Sequence, residues 1–483
     1  MLELIQGFWP ALLSLLHFAL AIGATVHIVL WKRDNRAAIG WTGLVWLAPL
    51  VGTALYLVLG INRIRRKAAA LGASELWGAD PTPVYTAQDV SHTAALEEQH
   101  PNLVGLAALG RKVTERELLP GNRVEPLVDG DEAYPAMLAS IDAAERSIAF
   151  ASYIFDNDRA GKEFLEALRR ATQRGVEVRV LIDDVGARYT RPTMLRCLRR
   201  EGIRCAAFLP TRVPRAFSYA NLRNHRKILV VDGRVGFTGG TNIREGHWLA
   251  LKPKSPVQCL HFRIEGPVVR HMQEAFSIDW DFAARERLGG EAWFPKLDRV
   301  GDVWARGVSD GPDEDFEHLV ELMLGAVSVT QREVLVVTPY FLPEAPMIRA
   351  LAVAAMRGAD VRVYLPEVNN IPPVAWAAMA QLWQILEKGC RVFFTPPPFD
   401  HTKLLVVDRA WSLIGSTNWD PRSLRLNFEY NVECYDVALA QRLAGMVEKK
   451  AAGAREITLA EADGRRLPIR IRDGLARLLT PYL

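Results

Sequence analysis

Residues 225–232 read His225-Arg226-Lys227-Ile228-Leu229-Val230-Val231-Asp232, and Gly239-Gly240-Thr241-Asn242 follows after six more residues. The same spacing returns at His401-Thr402-Lys403, the aliphatic run 404–407, Asp408 and Gly415-Ser416-Thr417-Asn418. Each short aliphatic run predicts a buried strand. Because residues two apart on a strand share a face, each histidine is expected to point the same way as its lysine, and each aspartate to the other side.

A histidine and a lysine on one face suit the chemistry of a phosphate diester. Imidazole can attack phosphorus or carry protons near neutral pH. An ammonium group neutralises the non-bridging oxygens, whose charge grows in the transition state. The lysine would also repel a cation, so we expect neither a metal nor another cofactor. One copy alone would be read as a basic surface strand, whereas two copies with identical spacing favour a paired site.

The pattern His-x-Lys-x4-Asp-x6-Gly-Ser-x-Asn resembles the signature of the phospholipase D superfamily. The second copy matches it fully, and the first has Gly240 in place of serine. The resemblance implies a covalent mechanism with His225 as nucleophile and His401 as acid/base, with lysines and asparagines on the phosphate oxygens and aspartates bracing the motifs. The predicted catalytic residues are His225, Lys227, Asp232, His401, Lys403 and Asp408. The predicted substrate-binding residues are Asn242, Asn418, Glu429 and Arg223.

Glu429 lies 28 residues after His401 and resembles the family's carboxylate that bonds the far ring nitrogen of its histidine. Such a partner fixes the tautomer and stabilises the imidazolium. Similar proteins usually carry aspartate where this chain has Cys259, so the resemblance predicts that His225 lacks its carboxylate. We do not expect a buried thiol to replace that charge.

An internal repeat surrounds the two motifs. Strand, helix, strand, helix and motif strand occur in the same order in each half, which predicts an α/β fold of duplicated domains with mixed, largely parallel sheets flanked by helices. We place a linker with some helix at 68–121, the first half at 122–300 and the second half at 301–483.

Two uncharged runs, Phe8 to Trp31 and Ala37 to Ile61, open the chain. As helices, each would cross the ~30 Å hydrocarbon core of a membrane. The connection Lys32 to Arg36 is too short for a domain, so residues 1–67 are predicted to form a transmembrane hairpin. A cleaved signal peptide and a pair of buried core helices are the alternatives. The second run, and the lack of a basic residue before the first, speak against the signal peptide.

The basic residues between Arg63 and Lys67 slightly outnumber those of the connection, which favours a cytoplasmic catalytic part. The five cysteines, without zinc or redox spacing, favour a reducing compartment. The cluster 63–67 and the basic, aromatic segment 211–223 suit anionic head groups. A stop-transfer flank and an ordinary solvated loop explain these two segments equally well. A net charge of only +4 does not indicate a nucleic-acid partner.

The hairpin followed by the duplicated motifs resembles the bacterial cardiolipin synthases of the phospholipase D type. The resemblance implies a multi-pass protein of the bacterial cell (inner) membrane that joins two phosphatidylglycerols into cardiolipin and releases glycerol. Its expected partners are phosphatidylglycerol, other anionic phospholipids and the membrane; a homo-oligomer is compatible with the sequence. The alternatives are a lipid hydrolase, a transphosphatidylase with another acceptor, a membrane-tethered nuclease, and a scaffold with a weakened site.

Overall fold

The computed structural model describes residues 2–32, 35–60, 98, 100–210, 222–312 and 317–480. They form an N-terminal unit, of which residues up to 60 are described, and a larger catalytic unit. The basic cluster 63–67 and most of the segment 211–223 lie outside the described residues, so the expectations attached to them stay predictions.

The N-terminal unit consists of helices α1 (Leu2–Trp31), α2 (Asn35–Leu47) and α3 (Pro49–Leu55) and a π-helical turn (Tyr56–Gly60). Among the described helices, α1 alone is long and apolar enough to cross a membrane. The second predicted span is not one continuous helix, because Ala48 leaves the helical region at φ −143° before Pro49. Proline lacks a backbone N–H and disfavours helical geometry in the residue before it.

The second segment packs back on α1. Ala21, Ala24, Ile28 and Val45 lie in one buried cluster. The indole N–H of Trp46 donates to Thr25 Oγ1 at 3.0 Å. Small residues let two helices approach closely in a membrane, where such contacts replace the hydrophobic effect as the source of association.

The catalytic unit alternates strands and helices in two similar halves. Its strands are β1 (Leu119–Val128), β2 (Ser147–Ser152), β3 (Glu177–Asp183), β4 (Cys205–Phe208), β5 (Arg223–Asn224), β6 (Ile228–Val231), β7 (Val235–Gly239), β8 (Val257–Gln258), β9 (Leu260–Glu265), β10 (Val303–Asp310), β11 (Glu333–Val337), β12 (Asp360–Pro366), β13 (Arg391–Thr395), β14 (Phe399–Asp400), β15 (Leu404–Val407), β16 (Trp411–Gly415), β17 (Asn427–Tyr435) and β18 (Arg455–Ile457). Its α-helices are α4 (Asn102–Thr114), α5 (Asp129–Ala143), α6 (Arg159–Gln173), α7 (Met194–Arg200), α8 (Val269–Ala284), α9 (His318–Val329), α10 (Ala345–Met356), α11 (Pro372–Met379), α12 (Trp383–Leu386), α13 (Pro421–Arg425), α14 (Val437–Ala451), α15 (Leu459–Asp463) and α16 (Leu467–Leu478).

One sheet runs through both halves. From the centre outwards, the first half has the order β1-β9-β7-β6-β2-β3-β4, and the second half repeats it as β10-β17-β16-β15-β11-β12-β13, with β18 at its edge. The halves join where β1 and β10 pair antiparallel, at Leu119 with Ala305 and Asn122 with Val303. The predicted duplication of an α/β half is confirmed.

The sheet is mixed but less parallel than predicted. Within the described strands, parallel neighbours are confined to β2-β3-β4, β11-β12-β13 and the short pairings β5 with β17 and β8 with β14. The motif strands form antiparallel hairpins, β6 with β7 and β15 with β16. Their three-residue turns begin at Asp232 and Asp408, both left-handed at φ 53° and 51°. So short a connection can only join antiparallel neighbours.

The core of the first half lies between the sheet and its helices. Phe164, Leu168 and Ala171 share one face of α6 and are fully buried. The ring of Phe164 lies 5.8 Å from that of Phe150 on β2. In the second half, α9 packs in the same way against β10 and β11.

Within residues 68–121, predicted as a linker with some helix, α4 belongs to the catalytic unit and packs on α9 and β10. Asn102 Nδ2 donates to the carbonyl of Val329 at the end of α9, at 3.0 Å. Arg306 on β10 donates to the carbonyl of Ala107 at 2.9 Å and forms a fully buried ion pair with Glu433 on β17 at 2.5 Å.

Candidate active site

The two motif histidines are positioned by strands of the opposite half. β5, just before His225, pairs with β17 of the second half, and the His225 N–H donates to the carbonyl of Phe428 at 2.9 Å. β14, just before His401, pairs with β8 of the first half, and the His401 N–H donates to the carbonyl of Gln258 at 2.7 Å. Both histidines therefore line one cavity of about 380 Å³ between the halves.

Three further predicted residues line this cavity, namely Asn242, Asn418 and Arg223. Burial lowers the pKa of Arg223, and the nearby charge of Arg422, which also lines the cavity, lowers it further. Two guanidinium groups in one wall make this part of the cavity suitable for an anion.

The two motif lysines are buried beside the histidines. Each Nζ donates to the carbonyl of the histidine two residues earlier, at 2.8 Å for Lys227 and 2.6 Å for Lys403. Burial lowers the pKa of Lys227 to about 7 and that of Lys403 to about 8. An anionic phosphodiester would restore their charge, because an opposite charge favours the ionised form.

The predicted buried strands 228–231 and 404–407 are confirmed as β6 and β15, but the expectation that each histidine and its lysine lie on the same strand is wrong. β6 and β15 begin only after the lysines, so residues 225–227 and 401–403 are not part of a strand. The two groups are nevertheless brought together. The ring of Tyr153 lies 5.1 Å from the ring of His225 and 5.7 Å from Lys227 Nζ.

Asp232 and Asp408 were predicted among the catalytic residues, with a bracing role and on the side of the strand away from the histidines. Neither lines the cavity. Asp232 accepts bonds of 2.7–3.3 Å from the backbone N–H groups of residues 145–147, where β2 begins. Asp408 does the same with residues 331–333 at the start of β11, at 2.7–3.2 Å. Each carboxylate ties its motif turn to a neighbouring strand, which is the bracing role that the resemblance implied.

Glu429 bonds His225, not the histidine of its own half. Nδ1 of His225 lies 2.8 and 3.0 Å from the two carboxylate oxygens of Glu429. Ser416 donates its hydroxyl to the same carboxylate, and Asn427 Nδ2 donates to it at 3.1 Å. The prediction that His225 lacks a carboxylate is therefore wrong, because the parallel pairing of β5 with β17 brings Glu429 across from the second half.

Among the described residues, no carboxylate bonds the ring of His401. By the matching pairing of β14 with β8, Cys259 takes the place beside His401 that Glu429 takes beside His225. Its thiol donates to the backbone carbonyl of His401 at 3.3 Å, and burial raises its pKa to about 11. Nδ1 of His401 instead lies 3.0 Å from the carbonyl oxygen of Gly240.

Gly240 belongs to the same asymmetry. A β-carbon on Gly240 would lie 2.5 Å from the Cys259 sulfur and 2.7 Å from the His401 carbonyl oxygen. Its counterpart Ser416 instead uses its hydroxyl to hold Glu429. His225 is thus supported by the carboxylate of Glu429, which Ser416 holds, whereas Cys259 and Gly240 occupy the matching positions beside His401.

The charges of the site follow from its burial. Burial lowers the pKa of His225 to about 4, although Glu429 opposes the shift. Burial alone would raise the pKa of Glu429, but His225 and Lys227 reverse this and leave it below its usual value. Burial, Lys403 and His247 lower the pKa of His401 well below its usual value. The free site thus combines an ionised Glu429 with neutral histidines. Since Glu429 accepts the Nδ1 proton of His225, the lone pair is left on Nε2.

The residues predicted from the sequence did not include three aromatic neighbours of the two histidines. Tyr153 and Tyr340 line the cavity at matching positions, and the ring of Tyr340 lies 6.2 Å from that of His401. The repeat aligns these tyrosines, and this alignment was the signal for them. His247 is 2% exposed, its ring lies 6.0 Å from that of His401, and its Nδ1 has no hydrogen-bond partner among the described residues. It occurs in one half only, so the repeat gave no sign of it.

Two duplicated halves that each bring a histidine, a lysine and an asparagine to one buried centre define a protein of the phospholipase D class. The family described as "Cardiolipin synthase, PLD-like domain" matches residues 137–280 and 323–450, and the one described as "Phospholipase_D-nuclease N-terminal" matches residues 19–60. The chain belongs to the cardiolipin synthase family of phospholipase D-like proteins.

Known relatives match along nearly the whole chain. The major cardiolipin synthase of Bacillus subtilis is 30% identical over 482 residues, which cover 98% of this chain and 99% of that protein. A cardiolipin synthase of Staphylococcus aureus is 30% identical over 468 residues, covering 94% and 93%. The crystal structure of phosphatidylserine synthase from Haemophilus influenzae superposes with a TM-score of 0.62 at 17% identity, covering 78% of this chain and all of that one, and so shares the fold. Family membership and the apolar helix α1 associate the chain with a membrane and with phospholipid substrates.

Proposed function

We propose that this chain joins two phosphatidylglycerol molecules into cardiolipin and releases glycerol. The observation that carries the proposal is the bond between His225 and Glu429 across the halves, in a cavity that His401 also lines. It provides a fixed nucleophile and a separate acid/base, the two groups that a covalent transfer needs. The similarity to cardiolipin synthases over nearly the full length supports the choice of substrates.

In the first half-reaction, Nε2 of His225 attacks the phosphorus of one phosphatidylglycerol. The P–N bond forms as the bond from phosphorus to the glycerol head group breaks, and His401 gives a proton to the departing oxygen. Glu429 supports His225 as nucleophile, because its charge stabilises the imidazolium of the phosphatidyl-histidine. The anionic substrate favours the protonated form of His401 that this step requires.

In the second half-reaction, a hydroxyl of the glycerol head group of a second phosphatidylglycerol attacks the same phosphorus. His401 takes the proton of that hydroxyl, and the electron pair of the P–N bond returns to Nε2 of His225. One phosphate ester bond is made for each one broken, so the transfer needs no outside source of energy. Water in place of the second lipid would give phosphatidic acid instead.

Side chains around the cavity are suited to hold the phosphate oxygens through both steps. Lys227 and Lys403 supply positive charge from the two halves, and Asn242 and Asn418 supply polar groups in the cavity wall. Arg223 extends the positive wall towards a further phosphate, and the acceptor lipid keeps its own phosphate during the reaction. Preorganised donors of this kind lower the barrier most when the site excludes water.

We further propose that both N-terminal segments cross the membrane and that the catalytic unit faces the cytoplasm. The packing of the second segment on α1 supports two crossings, because Val45 and Tyr56 lie in one buried cluster with Ala21, Ala24 and Ile28. The distribution of lysine and arginine in the sequence supports the orientation. Labelling of cysteines introduced at residue 35 and at the C-terminus with a membrane-impermeant reagent in intact cells would test it.

The reaction is tested with the full chain reconstituted in phosphatidylglycerol vesicles. We expect cardiolipin and glycerol in equal amounts, and a loss of at least about 10³-fold in His225→Ala and in His401→Ala, because a nucleophile and its acid/base act as a unit. Mass spectrometry of the lipids and an assay for free glycerol give the two yields. Phosphatidic acid as the main product would contradict the proposal in favour of hydrolysis.

A further inference from the structure

The helix α16, Leu467–Leu478, carries its apolar side chains on the face that points away from the protein. Leu467, Ile471, Leu475 and Leu478 are 67%, 53%, 59% and 70% exposed. Their spacing of four, four and three residues places them on one stripe of the helix. The buried side chains lie on the opposite face, so the usual amphipathic arrangement of a surface helix is inverted.

Ionic contacts fix this orientation. Asp473, which is 1% exposed, pairs with Arg465 and with Arg472, the latter at 2.7 Å. Arg465 also donates to the carbonyl of Met379 at 3.1 Å, and the guanidinium of Arg472 lies 4.4 Å from the ring centroid of Trp376 on α11. Turning the apolar stripe inwards would separate Asp473 from Arg465 and Arg472 from Trp376, so these contacts favour the orientation with the leucines outside.

The margin of the stripe is basic. Residues 464–480 contain five arginines and one acidic residue. Arg470 and Arg477 are exposed and lie on the helix face next to the apolar stripe. An apolar stripe bordered by arginine is the pattern of a helix that lies in the head-group region of a bilayer, where the arginines meet lipid phosphates.

The stripe is linked to the cavity through α11. Ala476 of α16 lies in one cluster with Val374 and Ala377 of α11. Val374 and the preceding Ile371 also line the cavity of the two histidines, and Ile371 is 41% exposed. A surface seated on α16 would therefore lie close to the side of the cavity that Ile371 forms.

We propose that α16 is an interfacial helix that seats the catalytic unit on a bilayer containing anionic phospholipid. Leu467, Ile471, Leu475 and Leu478 enter the boundary between head groups and acyl chains, and the neighbouring arginines bind lipid phosphates. The charge of the margin selects a lipid surface over a second copy of this chain, since two such margins would repel each other. The inference depends on the membrane association of the chain and not on the reaction proposed above.

The depth of a nitroxide label tests this in the full chain, reconstituted in bilayers of phosphatidylglycerol and phosphatidylcholine. The label is attached to Leu475→Cys and, as a matched control, to Val353→Cys, an exposed apolar position on α10. We expect the label at 475 to be relaxed more by oxygen than by a water-soluble nickel complex, and the label at 353 to show the reverse. The unsubstituted chain, labelled in parallel, gives the background from the native cysteines.

The outcomes separate the lipid from other occupants of the stripe. Adding Ile471→Asp to the Leu475→Cys chain should move the label towards the aqueous pattern, while Met356→Asp beside the control label should change nothing at 475. If the label in the Leu475→Cys chain without Ile471→Asp is relaxed more by the nickel complex than by oxygen, the proposal is overturned. Line broadening at 475 that disappears on dilution with unlabelled chain overturns it too, because a second copy then covers the stripe. Loss of cardiolipin formation alone would bear on the proposed reaction and not on this label.

Discussion

His225 and His401 differ in what holds their Nδ1 atoms, and this difference suits different tasks. The nucleophile carries a positive charge throughout the life of the covalent intermediate, and the ionised Glu429 lies 2.8 Å from its Nδ1. The acid/base must both lose and regain its proton, and the neutral carbonyl of Gly240 stabilises its charged form less. In the proposed mechanism, the missing carboxylate at Cys259 is therefore expected to limit the proton transfers of His401 and to leave the nucleophilic attack of His225 intact.

Cys259→Asp should speed cardiolipin formation by at least about tenfold, a gain below the ~10⁴ effect of spoiling the carboxylate of a well-studied triad. The new carboxylate would stand beside His401 as Glu429 stands beside His225, and it would stabilise the imidazolium that protonates the leaving glycerol. Initial rates in phosphatidylglycerol vesicles, at matched protein levels, give the comparison.

Cys259→Asn is the matched control for this change, because asparagine has the shape of aspartate without its charge. It should stay within about threefold of the unsubstituted chain. Equal rates for the aspartate and asparagine variants would contradict the assignment of position 259 to His401. So would a faster release of the leaving group from an activated substrate that needs no proton, because that gain would lie in the attack by His225.

At the scale of elements, the two-residue strands β5, β8 and β14 and the first residues of β17 decide which carboxylate meets which histidine. The sequence predicted the motifs, the repeat and the residue types of the site, because these are local patterns of spacing. It did not predict the pairing of Glu429 with His225, since two-residue strands carry no periodicity that identifies a distant partner. The aspartates of the motifs were predicted to brace them, and their turns are tied to β2 and β11.

The buried pair Arg306–Glu433 joins β10 to β17, and Arg306 also bonds to α4. Both side chains are fully buried, and Arg306 also donates to the carbonyls of Ala107 and Arg116. Arg306→Met should lower the free energy of unfolding by about 3–5 kcal/mol, because it leaves a buried carboxylate without its cation. The midpoint of thermal unfolding, followed by tryptophan fluorescence in detergent, measures the loss.

An exposed pair in the same half is the control for this prediction. Arg391 and Glu456 join β13 to β18 at 2.8 Å with about half of each side chain exposed. Arg391→Met should change the stability by less than about 1 kcal/mol. Equal shifts in the two variants would show that the buried pair is no more important than a surface one, and a restored midpoint in Arg306→Met/Glu433→Leu would show that the cost lies in the orphaned charge.

At the scale of the whole molecule, the duplication provides the two histidines proposed as nucleophile and acid/base, and the shared sheet holds the two halves together. The sequence predicted the two halves and the first apolar helix, because repeats and long hydrophobic runs are strong signals. It overestimated the parallel pairing, because the second turn, Asp408-Arg409-Ala410, lacks glycine, although Asp232-Gly233 in the first turn is a typical hairpin signal. The break of the second apolar segment followed from Pro49, whose effect on Ala48 a hydropathy pattern does not record.

The division of labour between the halves can be tested by removing the need for an acid. A phosphatidyl ester of p-nitrophenol releases a weakly basic phenolate that leaves without a proton. With this substrate, His401→Ala should release about one equivalent of phenolate per chain and then stall with the phosphatidyl group on His225, because deprotonation of the acceptor still needs His401. His225→Ala should release none. Stopped-flow absorbance measures the burst, and mass spectrometry of the digested protein locates the adduct. A burst in His225→Ala with an adduct on His401 would reverse the two roles, and a burst in neither variant would exclude a covalent intermediate on either histidine.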